Sequence, residues 1–455
     1  MRRIFIIACC FFLALLPLVA AEPSGTLPVM YIHADDSISS KTDYVSATVY
    51  IDASGTDGIE SLGTAEEPEP LLIRGRGNWT WFGSFEKKSY KLKFISDSQP
   101  LGMAANKHFA LLAHADGYIE SFFRNTAGFK LAELLGLSFT PKQQPVELVL
   151  NDEYMGLYFL TETVRVDVNR VNITKQRSNE TADSLITGGW LVEIDNGLED
   201  NQIKANVLNT PLPYWLITYH SPEVLSIKQH SYLRNQMNSI LRAVYDKDKS
   251  STEWEELIDV DVLARYYLAE EMLDNVEAFL GSCYMYKDLG ETTWKFGPLW
   301  DLGHAFNTWH EKNRFIYDYD GDWEPCIMEE IARFPRFQDY IRRLWIENYE
   351  YLYEELEAYL TAFSEQIAQA VVCDRARWPF YGTPDASRSL THCLQLLNEK
   401  RAFLTGEWGG FFNVVRQGNH ITPQQGADSY TLQGLPVRSC VRGIYIEKGK
   451  KFIKR

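Results

Sequence analysis

Part of the way along this chain the apolar residues change their spacing, and that change limits what it can fold into. Up to about residue 221 they alternate or cluster in short runs between turn residues, and from about Pro222 they recur every third or fourth position. A period of two predicts strands and a period of 3.6 predicts helices. Strands are predicted at 29–33, 44–51, 71–74, 89–94, 146–150, 156–161 and 190–194. One helix is predicted among them, over 117–135, with Gly136 placed to close it in a left-handed conformation. Helices are predicted at 233–245, 254–279, 337–360 and 390–404. A hairpin-like pair at 283–286 and 293–300 interrupts them and ends at Asp301. From about Phe411 strand and turn chemistry returns, and no internal repeat is evident. The expected fold class is α+β, with a β-rich segment at 27–221, a helical segment at 222–405 and a short β tail at 411–455.

Composition narrows the functional classes. Hydrophobic residues make up 45% of the 455 residues, enough to bury one large core or two ordinary ones, which excludes a disordered chain. The net charge of −16 argues against neutralising phosphates over a broad basic face, so nucleic acid is not an expected partner. Arg2 and Arg3 precede the apolar run 4–19, and Val19-Ala20-Ala21 offers small residues for cleavage. Residues 1–21 are therefore expected to be a signal peptide, and the protein to be exported to the periplasm, the cell surface or the medium. The apolar run is short for a membrane span and carries Pro17, and no transmembrane span is expected in the mature chain. Cys283, Cys326, Cys373, Cys393 and Cys440 would remain. They form no CxxC pair, so buried thiols are expected, with Cys373 and Cys393 the pair an oxidising compartment would allow to bridge.

Several catalytic motifs are missing: there is no GxSxG, HExxH, Walker loop or full GxGxxG. The histidines are scattered, and His304 alone stands beside another candidate polar group, so a histidine-centred hydrolase or metalloprotease has little support. What remains is a cationic strand and two acids. Lys87, Lys88, Lys91 and Lys93 surround Tyr90, Leu92 and Phe94, next to the loop Gly75-Arg76-Gly77-Asn78-Trp79-Thr80-Trp81. Glycines let backbone N–H groups approach phosphates, and a lysine holds them as a point charge; the same lysines would equally protect an edge strand. Glu277 and Asp301 supply the acids. Phosphoryl transfer uses one carboxylate to orient the acceptor and another to hold Mg²⁺ on the phosphates, whereas local capping and a turn would explain the same two residues without chemistry. Asp318, Asp320, Asp322 and Glu329 have calcium-loop spacing, but Trp323 stands where that loop needs glycine, so an exposed acidic loop is expected there. A glycosidase built on paired carboxylates has only the abundance of acids and aromatics behind it.

Taken together, several segments resemble the CotH family, the atypical secreted protein kinases first associated with spore coat protein H. They are Ile73-Arg74-Gly75-Arg76-Gly77-Asn78-Trp79-Thr80-Trp81 with Lys87-Lys88-Ser89-Tyr90-Lys91-Leu92-Lys93-Phe94, then Gly156-Leu157-Tyr158-Phe159-Leu160-Thr161-Glu162, Arg170-Val171-Asn172-Ile173, and Tyr284-Met285-Tyr286-Lys287-Asp288 leading to Trp300-Asp301. The resemblance runs from about Leu27 to Leu404. It implies a divergent protein-kinase-like two-lobe fold, with a β-rich N-lobe, a helical C-lobe, and ATP with Mg²⁺ or Mn²⁺ between them. The implied partners are proteins offering Ser or Thr hydroxyls. The implied roles are phosphate contact for Lys88, with Lys93 as substitute, nucleotide proximity for Arg76, metal binding for Asp301, and the place of the catalytic aspartate for Glu277. The chain departs from the family pattern of tryptophan-aspartate-x-aspartate and phenylalanine-glycine, because Gly303 replaces the second aspartate and Asn307 the glycine. Two readings follow: an active kinase with a weakened metal site, or a non-catalytic surface protein on a kinase scaffold.

Overall fold

The structure is a computed structural model. It describes residues 21–83, 85–206, 214–308, 312–318 and 326–409, and four strands within 429–454. Residues 1–20 of the expected signal segment lie outside the described residues. The fold is mixed α+β, and the chain divides into two compact units. Unit one comprises residues up to Phe123, Pro141–Val164 and Leu360–His392; unit two comprises Arg124–Thr140, Arg165–Tyr359 and the chain from Cys393 onward.

Unit one is built on β1 (Val29–Ala34), β2 (Val45–Asp52), β3 (Glu69–Arg76), β4 (Ser89–Ser98), β5 (Asn106–Leu112), β6 (Gln143–Leu150) and β7 (Glu153–Glu162). These strands close into a barrel in the order β1-β2-β3-β4-β5-β7-β6, with β1 and β6 parallel and every other pair antiparallel. Alternation decides which side chains fill it. Val49 and Ile51 of β2, Leu71 and Ile73 of β3, Leu92 and Phe94 of β4, and Phe109 and Leu111 of β5 share one buried cluster with Tyr158 and Leu160 of β7. Lys91 and Lys93 point the other way. Because β4 pairs with β3 on one side and β5 on the other, the lysine-bearing strand is not an edge. The four-residue helix α1 (Trp79–Phe82) lies in the loop between β3 and β4.

Unit two contains α2 (Arg124–Leu134) and a five-stranded sheet of β8 (Trp190–Asp195), β9 (Gln202–Asn206), β10 (Tyr214–Ser221), β11 (Cys283–Lys287) and β12 (Lys295–Phe296), ordered β12-β11-β8-β10-β9. Helices α3 (Ile227–Val244), α4 (Val260–Met272) and α5 (Ile327–Ile331) follow the sheet strands they connect or succeed, then α6 (Pro335–Arg377) and α7 (Ala386–Trp408). Among the described residues no helix is long and apolar enough to cross a membrane. Beyond residue 409 four strands, β13 (Ser429–Thr431), β14 (Pro436–Val437), β15 (Gly443–Glu447) and β16 (Lys450–Lys454), form an antiparallel sheet.

Local chemistry explains where elements begin and end. Ser226 accepts the Gln229 N–H at 3.2 Å while the Gln229 side chain accepts the Ser226 N–H at 2.8 Å, a reciprocal cap that starts α3. Asp259 starts α4 by accepting the Val262 N–H at 3.1 Å. Gly136 closes α2 with φ 68°, as its place in the sequence predicts. The predicted helix over 117–135 begins only at Arg124, because the Asp116 carboxylate takes the Tyr118 N–H at 3.0 Å and the Ser121 hydroxyl, and these local bonds compete with a helical turn. The predicted helix over 254–279 shortens at both ends to Val260–Met272, which leaves Glu277 on irregular backbone. Strands β5, β9 and β10 were not predicted. In β5 and β10 the apolar residues run together, which does not distinguish strand from helix, and β9 carries only Ile203 and Ala205 between polar residues, too short an alternation to stand out.

Candidate functional site

Three segments of unit two carry the polar groups of the site. The first leaves β8 at Asp195, whose Oδ1 accepts the N–H groups of Asn196 at 2.8 Å and Gly197 at 3.1 Å. The second leaves α4 and turns at Asp274, a non-glycine residue with φ 53°. Lys400 holds the Asp274 carboxylate at 3.0 Å and Glu271 at 2.5 Å, and Lys312 also pairs with Asp274. All four side chains are buried, so each charge depends on its partners, and the start of the turn is pinned. Glu277 follows it. The third segment leaves β12 and reaches Asp301, exposed and at φ 55°, a left-handed conformation uncommon outside glycine that the surroundings must hold. The next N–H, on Leu302, donates to Asn125 Oδ1 of α2 at 3.0 Å. Leu302 itself packs onto Gly128, where a Cβ would come within 2.5 Å of it, so only glycine admits the approach. The Phe306 N–H then donates to the Leu273 carbonyl at 2.7 Å, tying the third segment to the second.

These segments bring Glu277, Asp301, His304 and Asn196 together. Glu277 Oε1 accepts from Asn196 Nδ2 at 3.2 Å, and Oε2 faces His304 Nε2 at 3.4 Å. Burial and then the charge of Asp301 push the Glu277 carboxyl up to about 7; the Asn196 hydrogen bond opposes this and Asp195 adds to it. Burial also raises Glu270 to about 7 against hydrogen bonds from Asn275 and Tyr266. A carboxyl that titrates near neutrality can exchange a proton with a substrate hydroxyl. Two carboxylates that repel each other also form a sink for positive charge. Among the described residues no group of three or more His, Cys, Asp or Glu side chains is placed to hold a metal by itself.

Arg76, Lys88 and Lys93 belong to unit one, whereas Glu277 and Asp301 belong to unit two. Lys88 Nζ donates to the carbonyls of Trp81 at 2.7 Å and Gly83 at 3.3 Å, which ties it to the glycine-bearing loop. The Trp81 indole covers Gly75 so closely that a Cβ there would come within 2.3 Å of the ring. Arg76 lies opposite Ser89 in the β3–β4 register, and Lys93 lies between Leu72 and His108 on the outer barrel surface. It is Lys87 that turns inward. Its Nζ donates to Asp374 Oδ1 and the Leu157 carbonyl, both at 2.6 Å, and burial lowers it to about 8 although Asp374 opposes the change.

Sequence reasoning did not single out Asn196, Asn125 or Asp374. For Asn196 a signal existed, since Asp195-Asn196-Gly197 after a predicted strand is turn chemistry. Asp374 gave none, because it sits in a helix 287 residues from Lys87. In the acidic stretch, Asp318 lies in a short 3₁₀ turn and Glu329 pairs with Arg333 at 2.5 Å, while Asp320, Asp322 and Trp323 fall outside the described residues. Cys283, Cys326, Cys373 and Cys393 are all free thiols, so Cys373 and Cys393 form no bridge; Cys440 lies outside the described residues.

A family model described as CotH kinase protein matches residues 73–404, most of the chain. The chain belongs to that family, which carries a kinase-like function and, in general, the use of ATP with a divalent metal. No curated protein matches the chain.

Proposed function

We propose that this member of the CotH kinase family is an exported protein kinase that moves the γ-phosphoryl group of ATP to Ser or Thr hydroxyls of partner proteins. The observation that carries the reading is the Glu277 carboxyl, beside Asp301 and pushed up to about 7. In this reading Glu277 orients the acceptor hydroxyl and takes its proton as the oxygen attacks the γ-phosphorus, and ADP leaves with the electron pair of the broken bond. Its titration near neutral pH keeps a large ionised fraction while leaving the carboxylate basic enough to accept the proton. Asp301 would hold Mg²⁺ or Mn²⁺, whose chemistry is to neutralise charge on the phosphates. Lys88, or Lys93 in its place, would meet the nucleotide phosphates with Arg76 near the nucleotide, Lys88 first releasing the Trp81 and Gly83 carbonyls it now holds. The two-lobed kinase arrangement and export through residues 1–21 belong to the same proposal.

Gly303 favours a second reading, a non-catalytic envelope protein that keeps the scaffold for binding. A side chain at 303 would start 3.6 Å from Asp301 Oδ1, so its absence removes a second ligand from beside the first. Incubating the purified chain with labelled ATP and Mg²⁺ or Mn²⁺, in parallel with Asp301→Asn and Glu277→Gln, separates the two. Transfer that both substitutions abolish supports the kinase. Equal, negligible label in all three supports the binding protein.

A further inference from the structure

Glu277 sits on irregular backbone, yet both of its oxygens are engaged, Oε2 by His304 and Oε1 by Asn196. The Asn196 side is the more firmly built. Gln202 Nε2 donates to the Gly197 carbonyl at 2.6 Å and to Thr218 Oγ1 at 2.9 Å. Thr218 Oγ1 donates to Asp195 Oδ2 at 3.1 Å, and Asp195 Oδ1 returns to the N–H groups of Asn196 and Gly197. This circuit runs through β8, β9 and β10 and fixes the turn from which Asn196 projects. Space for its amide is kept by Gly281. A Cβ there would lie 2.7 Å from Asn196 Nδ2 and 3.4 Å from Glu277 Oε1, although the Gly281 backbone is open to any residue.

We propose that Asn196 is a positioning residue for Glu277, its amide N–H holding the carboxylate in the orientation from which Glu277 meets an acceptor hydroxyl. The carboxylate and the amide come from different segments, and an acceptor-only oxygen needs a donor where Asn196 supplies one. Reacting groups must be held to within a fraction of an ångström for efficient transfer, so losing that donor costs rate even if the fold is unchanged.

The kinetic part of this inference rests on Glu277 orienting the acceptor, so the test carries a structural readout as well. Asn196 is exposed, and aspartate at this turn keeps the shape while replacing the donor with a second carboxylate. A role confined to forming the turn would leave Asn196→Asp indistinguishable from the parent. The expected result is that Asn196→Asp and Asn196→Ala melt with the parent, and that crystal structures show the Glu277 carboxylate rotated away from its present place beside His304. Turnover with labelled ATP and a protein acceptor should fall about ten- to a hundredfold in both variants, with KM for ATP unchanged. Gly281→Ala, which crowds the same amide, should act in the same direction. An unmoved Glu277 in both Asn196 variants would overturn the inference, as would an Asn196→Asp enzyme as fast as the parent. If the parent itself transfers no phosphate, the kinase reading falls, and the position of Glu277 alone decides the role of Asn196.

Discussion

Lys87 Nζ lies 2.6 Å from Asp374 Oδ1, and neither side chain reaches solvent. The Leu157 N–H donates to the same carboxylate oxygen at 2.8 Å, and Arg375 Nη1 lies 2.6 Å from the other. Gly156, at φ 93°, leaves room for Asp374, since a Cβ would come within 2.2 Å of its Oδ1. One acid thus satisfies a buried lysine, an arginine and a backbone donor. Breaking such a pair leaves the lysine's charge uncompensated, whereas removing Lys87 together with Asp374 leaves only Arg375 without this partner.

Asp374→Asn should therefore destabilise unit one by about 3–5 kcal/mol, read from urea denaturation. The pair Lys87→Met with Asp374→Leu should cost less than the sum of its single changes. A loss below about 1 kcal/mol in Asp374→Asn would mean that this buried ion pair contributes little to holding the barrel.

Stability should also depend on pH through Glu277. Its carboxyl titrates near 7 in the folded protein, above its ordinary range, so the folded state binds more protons than the unfolded one between about 4.5 and 7. The contribution is fully present below that window and is lost as pH rises through it. Glu277→Gln removes the ionisation and should gain on the order of 1–3 kcal/mol over the parent above pH 7, with a smaller gain toward pH 4.5. Denaturation curves across this range check it, and a gain independent of pH would count against the charge as its cause.

Restoring a carboxylate beside Asp301 should strengthen cation binding. The backbone at Gly303 is open to any residue, and its Cβ would start 3.6 Å from Asp301 Oδ1. Gly303→Asp is expected to bind Mn²⁺ about tenfold more tightly than the parent, because affinity for hard cations follows the number of charged oxygen ligands. Calorimetric titration measures this, and an unchanged affinity would argue against Asp301 as a metal ligand.

Lys88 has a loop role in the structure and a nucleotide role in the proposal, and one substitution separates them. Lys88→Met should weaken ATP binding about tenfold in the presence of Mg²⁺, since a lysine near phosphates acts as a point charge that methionine lacks. Equal affinities in the two proteins would confine Lys88 to tying the carbonyls of Trp81 and Gly83.

Much of unit one was legible from spacing alone. Alternation marked β2, β3 and β4, and the inward residues Val49, Ile73 and Leu92 are the ones it selects. The motif order also identified the family, because motifs record chemistry and local shape together. Glu277 and Asp301 stood out as acids near element ends. Their mutual effect did not, since it depends on Asp274 and Asp301 adopting left-handed backbone and on Leu302 finding Gly128.

By itself the sequence determined period, charge and punctuation: which stretches pleat, which coil, where Gly136 stops a helix. These follow from the sterics and hydrogen bonding of a few neighbouring residues. Only the tertiary structure decided that β1 would meet β6 to close a barrel, that Lys87 rather than Lys88 would be buried against Asp374, and that Asn196 and His304 would grip Glu277. Each of those pairings joins residues far apart along the chain, so each depends on the packing of whole elements, for which neighbouring residues carry no signal.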